Sequence, residues 1–146
     1  MKNNDSFDLG NIDTVSACNA GFEVELRHPA TNAPLGVFWT VLGSDSDVFR
    51  DYIKESTNER LRKDAMARKK GRDVEVKTIQ DIEQETIDML TLCSVGWRTG
   101  DAQTITFKGE ILSFNVPNVK KVLTAMPWIR KQLDEAMSDL ANFMKS

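Results

Sequence analysis

Apolar and polar residues alternate in the first third of the chain in a way that is typical of a β-hairpin. Phe22, Val24 and Leu26 are separated by charged residues, which predicts a strand with one buried face. Residues 28–36 contain two prolines, an asparagine and a glycine, and therefore predict a turn. Residues 37–42 are mostly β-branched or aromatic, and they predict the returning strand.

A helix is predicted directly after the hairpin, because the apolar spacing lengthens from two residues to three or four. Ser44 or Asp45 is expected to cap its free backbone N–H groups. Its apolar positions are Val48, Phe49, Tyr52 and Ile53. The stripe thins across residues 54–72, so the far end of the helix is expected to project from the core or to fray. Gly71 is expected to end it.

The next helix has the clearest amphipathic pattern in the chain. Thr78 is expected to cap it, with Asp81 as the capping-box partner. Its apolar stripe consists of Ile79, Ile82, Thr86, Leu90, Cys93 and Trp97. This spacing predicts a helix that carries Trp97 and ends near Gly96 and Gly100.

The last third of the chain predicts one short extended element and two further helices. Residues 105–114 indicate a short hairpin or an irregular loop. Asn115 is expected to cap the next helix, in whose first turn Pro117 is tolerated because an N–H there has no partner within the helix. Pro127 interrupts this helix, and the final helix follows it.

These elements together predict an α+β fold, with an N-terminal β-hairpin followed by a helical domain of about four helices. Residues 1–19 are expected to form a flexible polar tail. Residues 20–146 are expected to form a single domain, within which residues 54–76 are a basic helix or linker.

The composition is that of an ordinary globular chain, with an uneven distribution of charge. The 146 residues are 40% hydrophobic and 28% charged, and the net charge is −3. Residues 54–72 contain eight basic and three acidic residues, a net charge of +5, which leaves −8 for the rest. No apolar run approaches the roughly 20 residues that a bilayer span requires. The polar N-terminus is not typical of a secretory signal, so a cytosolic protein without a membrane partner is expected.

Residue types that carry out catalysis are present, but not in a recognisable pattern. His28 is the only histidine and precedes a proline, so it is predicted to be a surface turn residue. Asp45 and Asp47 form one of several carboxylate pairs that helix capping and solubility explain. Cys18 and Cys93 are expected to be free thiols. The sequence predicts no catalytic residue, no metal site and no cofactor, and the chain is not expected to be an enzyme.

Nucleic-acid binding is the main alternative that the charge distribution leaves open. Arg68, Lys69, Lys70 and Arg72 lie close together and could contact a phosphate backbone with release of counterions. However, the segment has few aromatic residues on which bases could stack, and the rest of the chain is acidic. A solvated charged face or a protein-docking arm fits this segment better.

Motifs of one viral protein family occur in order along most of the chain. Residues 22–30 resemble its strand ending in LR(D/H)P, and residues 34–47 resemble its P-x-G-V return strand and its G-x-D-S helix start. Residues 91–97 resemble its helix end A-x-x-x-x-G-W, and residues 107–114, 126–133 and 141–143 resemble its PWIR-x-Q closing segment. By these motifs, residues 20–144 resemble the tail assembly chaperones of long-tailed bacteriophages.

The resemblance implies a non-enzymatic role in the cytoplasm of an infected bacterium. Such proteins bind the long, helical tape measure protein, keep it soluble and help to recruit tail tube subunits. They act in multiple copies, so a homo-oligomer is expected, and they leave before the virion is complete. A longer frameshifted form often carries a tube-binding extension. A minor structural protein of the virion remains an alternative within the same context.

A partner-binding groove is expected between the hairpin and the helices that begin near Asp47 and Thr78. The apolar surface at this place is larger than so short a hairpin needs for its own core. The residues expected to contact the partner are Phe38, Trp39, Val48, Phe49 and Tyr52.

Overall fold

The computed structural model describes residues 6–74 and 76–144. Within these ranges the chain forms six α-helices, five strands and one 3-10 turn at Leu9–Asn11. The helices are α1 (Thr14–Ala20), α2 (Asp47–Lys69), α3 (Ile79–Cys93), α4 (Val116–Ala125), α5 (Pro127–Ser138) and α6 (Ala141–Met144). The strands are β1 (Phe22–Arg27), β2 (Pro34–Val41), β3 (Ser94–Thr99), β4 (Thr104–Phe107) and β5 (Glu110–Ser113).

The predicted hairpin is part of a three-stranded antiparallel sheet in the order β1-β2-β3. Trp39 of the central strand β2 is fully buried and pairs with Val24 of β1 and Trp97 of β3. The Trp39 and Trp97 rings meet edge to face, with centroids 5.0 Å apart. Trp39 Nε1 donates to Ser94 Oγ at 2.8 Å, and Ser94 Oγ donates to the Leu90 carbonyl at 2.6 Å. The buried indole N–H is therefore satisfied inside the core.

Trp97 joins this sheet to the second sheet, which consists of β4 and β5. Its ring packs edge to face on Phe114, with centroids 5.3 Å apart. Its Nε1 donates to the Leu112 carbonyl at 3.2 Å. Leu112 and Ile105 are the buried residues of this hairpin, so the two sheets share one hydrophobic core.

Two polar side chains of α5 fasten this helix to its neighbours. The Gln132 amide accepts from the Arg27 N–H at 2.9 Å and donates to the Arg27 carbonyl at 2.7 Å, which satisfies the outer edge of β1 at that residue. Arg130 Nη1 donates to the Leu123 carbonyl at 2.6 Å, near the end of α4. Arg130 also lies 3.5 Å from Glu83 of α3.

The structure is α+β, but the predicted arrangement of an N-terminal hairpin followed by about four helices is wrong. Five α-helices follow the hairpin within the described residues, and α1 precedes it. All but the last residue of helix α1 lies within residues 1–19, the segment predicted to be a flexible tail. Asp13 caps it by accepting from the Ser16 N–H, and its Cys18 is fully buried.

The predicted continuation of the second long helix through Trp97 is also wrong. Helix α3 ends at Cys93, and Ser94–Thr99 forms β3 on the edge of β2. Trp97 has helical spacing from Cys93, but β-branched Val95 and Thr99 and helix-weakening Gly96 favour an extended segment. Pairing with β2 decides between the two conformations, because the N–H and C=O groups on that side of β2 would otherwise lack partners in a buried sheet.

The helix caps were predicted better than the helix ends. The capping box of Thr78 and Asp81 is confirmed, and so is the Asn115 cap with Pro117 in the first turn. Helix α2 is capped by Ser46, whose Oγ accepts from the Phe49 N–H at 3.2 Å, and not by the predicted Ser44 or Asp45.

Candidate partner-docking grooves on helices α2 and α3

Among the described residues, the contacts that anchor helix α2 lie in its first two turns. Its 23 residues span about 34 Å, and none of them is buried. Asn19 of α1 and Asp47 exchange two hydrogen bonds of 2.9 and 3.0 Å, while Val48 and Phe49 pack against the core. Of the α2 side chains, only those of Val48 and Phe49 pack on the hydrophobic core, so most of this helix lies outside it.

Within the described residues, one side-chain hydrogen bond joins α2 to α3. Tyr52 Oη donates to the Glu85 carbonyl at 3.2 Å, and the Glu85 carboxylate pairs with Lys77 at 2.7 Å. Successive helix residues point about 100° apart, so Ile53 and Thr57 lie on one side of Tyr52 and Glu55 and Glu59 lie on the other. An open groove lies on each side of this contact.

The first groove, which we call the apolar groove, has a volume of about 310 Å³. It is lined by Phe49, Tyr52, Ile53, Ser56, Thr57, Arg60, Lys77, Ile82, Glu85, Thr86 and Met89. Ile53 and Ile82 are 46% and 55% exposed, although both are large and apolar. Ile79, one turn before Ile82 on α3, is also exposed. Exposed apolar side chains that line a concave surface indicate a binding site more strongly than isolated ones do.

The second groove, which we call the charged groove, is larger, at about 1000 Å³. Its walls are α2, the connection after α2 and the polar face of α3. Its lining includes the exposed apolar residues Met66 and Val76 and the half-buried Tyr52. Six basic and seven acidic residues complete most of the lining: Arg60, Arg62, Lys63, Lys70, Arg72 and Lys77, with Glu55, Glu59, Asp64, Asp73, Asp81, Glu85 and Asp88.

The five residues predicted to contact a partner do not share one surface. Trp39 is fully buried, so its side chain cannot form part of a groove. Phe38 lies on the opposite face of the sheet, where the Arg98 guanidinium stacks 3.9 Å from its ring centroid. Val48 packs on the core. Only Phe49 and Tyr52 line the apolar groove.

The apolar groove lies between α2 and α3, whereas a groove between the hairpin and the helices was expected. The most exposed large apolar residues of the apolar groove were not among those predicted to contact a partner. Ile53 and Ile82 each extend an apolar stripe beyond the part that the core covers. The signal was present in the sequence, since both residues follow the helical spacing of their stripes. The sequence does not show at which residue of each apolar stripe the contact with the hydrophobic core ends.

The four residues of the nucleic-acid alternative lie at and beyond the free end of α2. Arg68 and Lys69 are in its last turn, and Lys70 and Arg72 follow it. All four are exposed, but only Lys70 and Arg72 line the charged groove.

The carboxyl groups with shifted pKa values have structural explanations. The Arg98 guanidinium donates to both Glu23 carboxylate oxygens, at 2.6 and 2.7 Å, and lowers the pKa of Glu23. Hydrogen bonds from helix N-termini lower the pKa values of Asp13 and Asp81, and Asn19 lowers that of Asp47.

His28 closes a turn, where its Nδ1 accepts from the Ala30 N–H at 3.1 Å. Across residues 6–74 and 76–144, no three histidine, cysteine or acidic residues are grouped as metal ligands.

Both thiols are expected to be nearly inert in the folded protein. Burial raises the pKa of Cys93 to about 11 and also raises that of Cys18. With an unfolded thiol pKa of about 8.5, the thiolate fraction of Cys93 at pH 8 falls at least roughly 100-fold on folding. In a Cys18→Ala variant, a chromogenic disulfide should therefore react with Cys93 at least roughly 100-fold faster in urea than in native buffer. Equal rates would show that Cys93 is accessible.

In the part of the chain that the structure describes, no helix combines the length and the hydropathy needed to cross a bilayer. Comparison of the chain with models of known protein families, with characterised proteins and with solved structures finds no match. The function is therefore inferred from the residues themselves and from the two grooves that they form.

Proposed function

We propose that this protein is a non-enzymatic tail assembly chaperone whose apolar groove binds an amphipathic helix of the tape measure protein. It keeps that protein soluble and helps to recruit tail tube subunits around it. The observation that carries this proposal is the apolar groove, where Ile53 and Ile82 remain exposed between two helices. A third helix laid between α2 and α3 would cover both side chains.

The size of the groove suits weak, repeated binding. A cavity of about 150 Å³ holds a benzene-sized group, so about 310 Å³ has room for roughly two large side chains. Burying two such side chains contributes about 3–6 kcal/mol. Association itself costs about 4–15 kcal/mol, so one groove alone binds weakly. Several copies along one long helix would bind it firmly together, and each copy could still leave during assembly.

Charge substitution within the groove tests this function. Ile53→Asp and Ile82→Asp should each abolish the rescue of tape measure solubility in co-expression, because each places a charged carboxylate, which is costly to desolvate, where an apolar side chain would dock. Leu61→Asp is the matched control. Leu61 is also on α2, is 56% exposed and lines neither groove. The soluble fraction of the tape measure protein is the measurement.

The variants should fold alike, since none of the three side chains is buried. Urea unfolding of each purified variant checks this, and changes within about 0.5 kcal/mol are expected. If Ile53→Asp and Ile82→Asp fold normally and still keep the tape measure protein soluble, the partner does not bind in the apolar groove.

Nucleic-acid binding remains the second candidate, because Arg68, Lys69, Lys70 and Arg72 are exposed at and just beyond the C-terminal end of α2. Against it, the seven carboxylates that line the charged groove would repel a phosphate backbone laid along it. Salt-sensitive retention of DNA or RNA that disappears when these four residues are neutralised would favour this candidate over the chaperone.

A further inference from the structure

The chemistry of the apolar groove changes along its length. At its inner end, Phe49 packs on the hydrophobic core. The exposed side chains of Ile53 and Ile82 follow. Towards the connection between α2 and α3, the groove is lined by Arg60, two turns after Ile53, and by Lys77, which precedes α3. The groove is therefore apolar near the core and carries its two basic side chains at the far end.

Among the described residues, three charged side chains line the apolar groove, and one of them has no counter-charge. Lys77 pairs with Glu85 at 2.7 Å. Arg60 has no carboxylate within 4 Å among residues 6–74 and 76–144. It is exposed and also lines the charged groove, but the carboxylates described there all lie farther from it than that. Arg60 therefore offers the apolar groove one positive charge that this part of the chain does not neutralise.

The spacing of Ile53 and Arg60 fixes where a partner would meet each of them. Seven residues along α2 correspond to about 10 Å of helix axis. A second helix that lies alongside α2 covers the same distance in seven of its own residues. Seven residues also complete nearly two turns, so two side chains with this spacing point in almost the same direction. One face of the bound helix can therefore place an apolar side chain on Ile53 and a second side chain beside Arg60.

We infer that the amphipathic helix bound in the apolar groove carries an acidic residue about two turns from its apolar anchor, and that this carboxylate pairs with Arg60. The inference rests on the proposed docking of a helix in this groove and adds the chemistry by which the helix is chosen. A lysine or arginine at the same position would meet Arg60 and be repelled. Arg60 thus discriminates between amphipathic helices whose apolar faces are alike.

Two synthetic peptides of about five helical turns test this selection. Both carry the same apolar face, and they differ only two turns to either side of its central residue, where one has glutamates and the other has lysines. Both orientations of the bound peptide then bring one of these residues to Arg60. Titrations followed by the backbone amide chemical shifts of the protein measure weak binding. The glutamate peptide should bind about three- to ten-fold more tightly, because an exposed ion pair contributes modestly and the lysine is repelled to a similar extent.

Substitutions of Arg60 assign the preference to this side chain. Arg60→Gln should remove the preference for the glutamate peptide, and Arg60→Glu should reverse it. Arg62→Glu is the matched control, since it changes the net charge as Arg60→Glu does. Arg62 is also exposed on α2, but it points about 200° away from Arg60 and lines only the charged groove. This variant should keep the preference.

Equal binding of the two peptides to the unmodified chain would overturn the inference, and so would a preference that Arg62→Glu reduces as much as Arg60→Glu does. If Ile53→Asp still abolishes binding in either case, docking in the apolar groove stands and only the role of Arg60 fails. Binding that survives Ile53→Asp, or no binding of either peptide, would instead overturn the docking of a helix in this groove and the inference with it.

Discussion

Replacing Trp39 with alanine is expected to lower the free energy of unfolding by about 3–5 kcal/mol, the loss typical of a large aromatic side chain removed from a core. The ring is fully buried and packs on Trp97 at a centroid distance of 5.0 Å. The substitution also removes the indole N–H that donates a hydrogen bond to Ser94 Oγ. Since domains of this size are stable by about 5–15 kcal/mol, urea unfolding should show a large fall in the midpoint.

Phe38→Ala is the matched control for this prediction. Phe38 is the preceding residue of the same strand, but it lies half-buried on the other face and stacks under Arg98. A partly exposed cation–π contact contributes about 0.5–1 kcal/mol, so the loss should be clearly smaller. If Phe38→Ala destabilised the chain as much as Trp39→Ala, the assignment of the two faces of β2 would be incorrect.

Replacing Gly43 with alanine is the second substitution expected to have a large effect. An added Cβ would overlap Cys18 Sγ, lie 2.8 Å from Cys18 Cβ and lie 3.1 Å from the Phe143 ring. The Gly43 N–H also donates to the Cys18 carbonyl at 3.1 Å, so the backbone cannot move away without loss of that bond. Overpacking at such a site costs about 1–3 kcal/mol or more, and thermal unfolding measures it.

A double mutant isolates the cause of the Gly43→Ala effect. Cys18→Gly removes both Cys18 atoms that the new Cβ would meet, so Gly43→Ala should cost less in that background than in the unmodified chain. Additive effects of the two substitutions would mean that the overlap with Cys18 is not the source of the destabilisation.

Strand alternation and helix-capping patterns correctly predicted the parts of the fold that depend on residues close together in the sequence. The alternation at Phe22, Val24 and Leu26 identified β1, and the spacing from Thr78 to Asp81 identified the start of α3. Both depend on contacts across a few residues, where sequence and structure are directly related. The strand pattern of residues 37–42 likewise matches most of β2.

Contacts between distant segments explain the features that were missed. β3 forms because Trp97 can pair with Trp39, 58 positions away in the sequence, and the helical spacing of Trp97 from Cys93 gives no sign of this. Helix α1 is short, and its main anchor is the packing of Cys18 beside Gly43 and Phe143. Neither contact can be identified from a window of neighbouring residues.

Several residues of the chaperone-like motifs have a structural role. Gly43 leaves space for Cys18, and Ser46 caps α2. Arg130 holds the end of α4, and Gln132 closes the edge of β1. These residues explain how the fold is held together, and they do not identify the partner surface. The partner surface is proposed instead from Ile53 and Ile82, which lie outside the matched motifs.

A fluorescence measurement at two adjacent positions of α2 tests the docking of a helix in the apolar groove most directly. Thr57 lines this groove, whereas Asn58 lines neither groove and points about 100° away. Thr57→Cys and Asn58→Cys can each be labelled with an environment-sensitive dye, since the native thiols are buried. Addition of the tape measure protein should shift the emission at position 57 to the blue and leave position 58 unchanged. A complex that forms without a shift at position 57, or with an equal shift at position 58, would contradict the account.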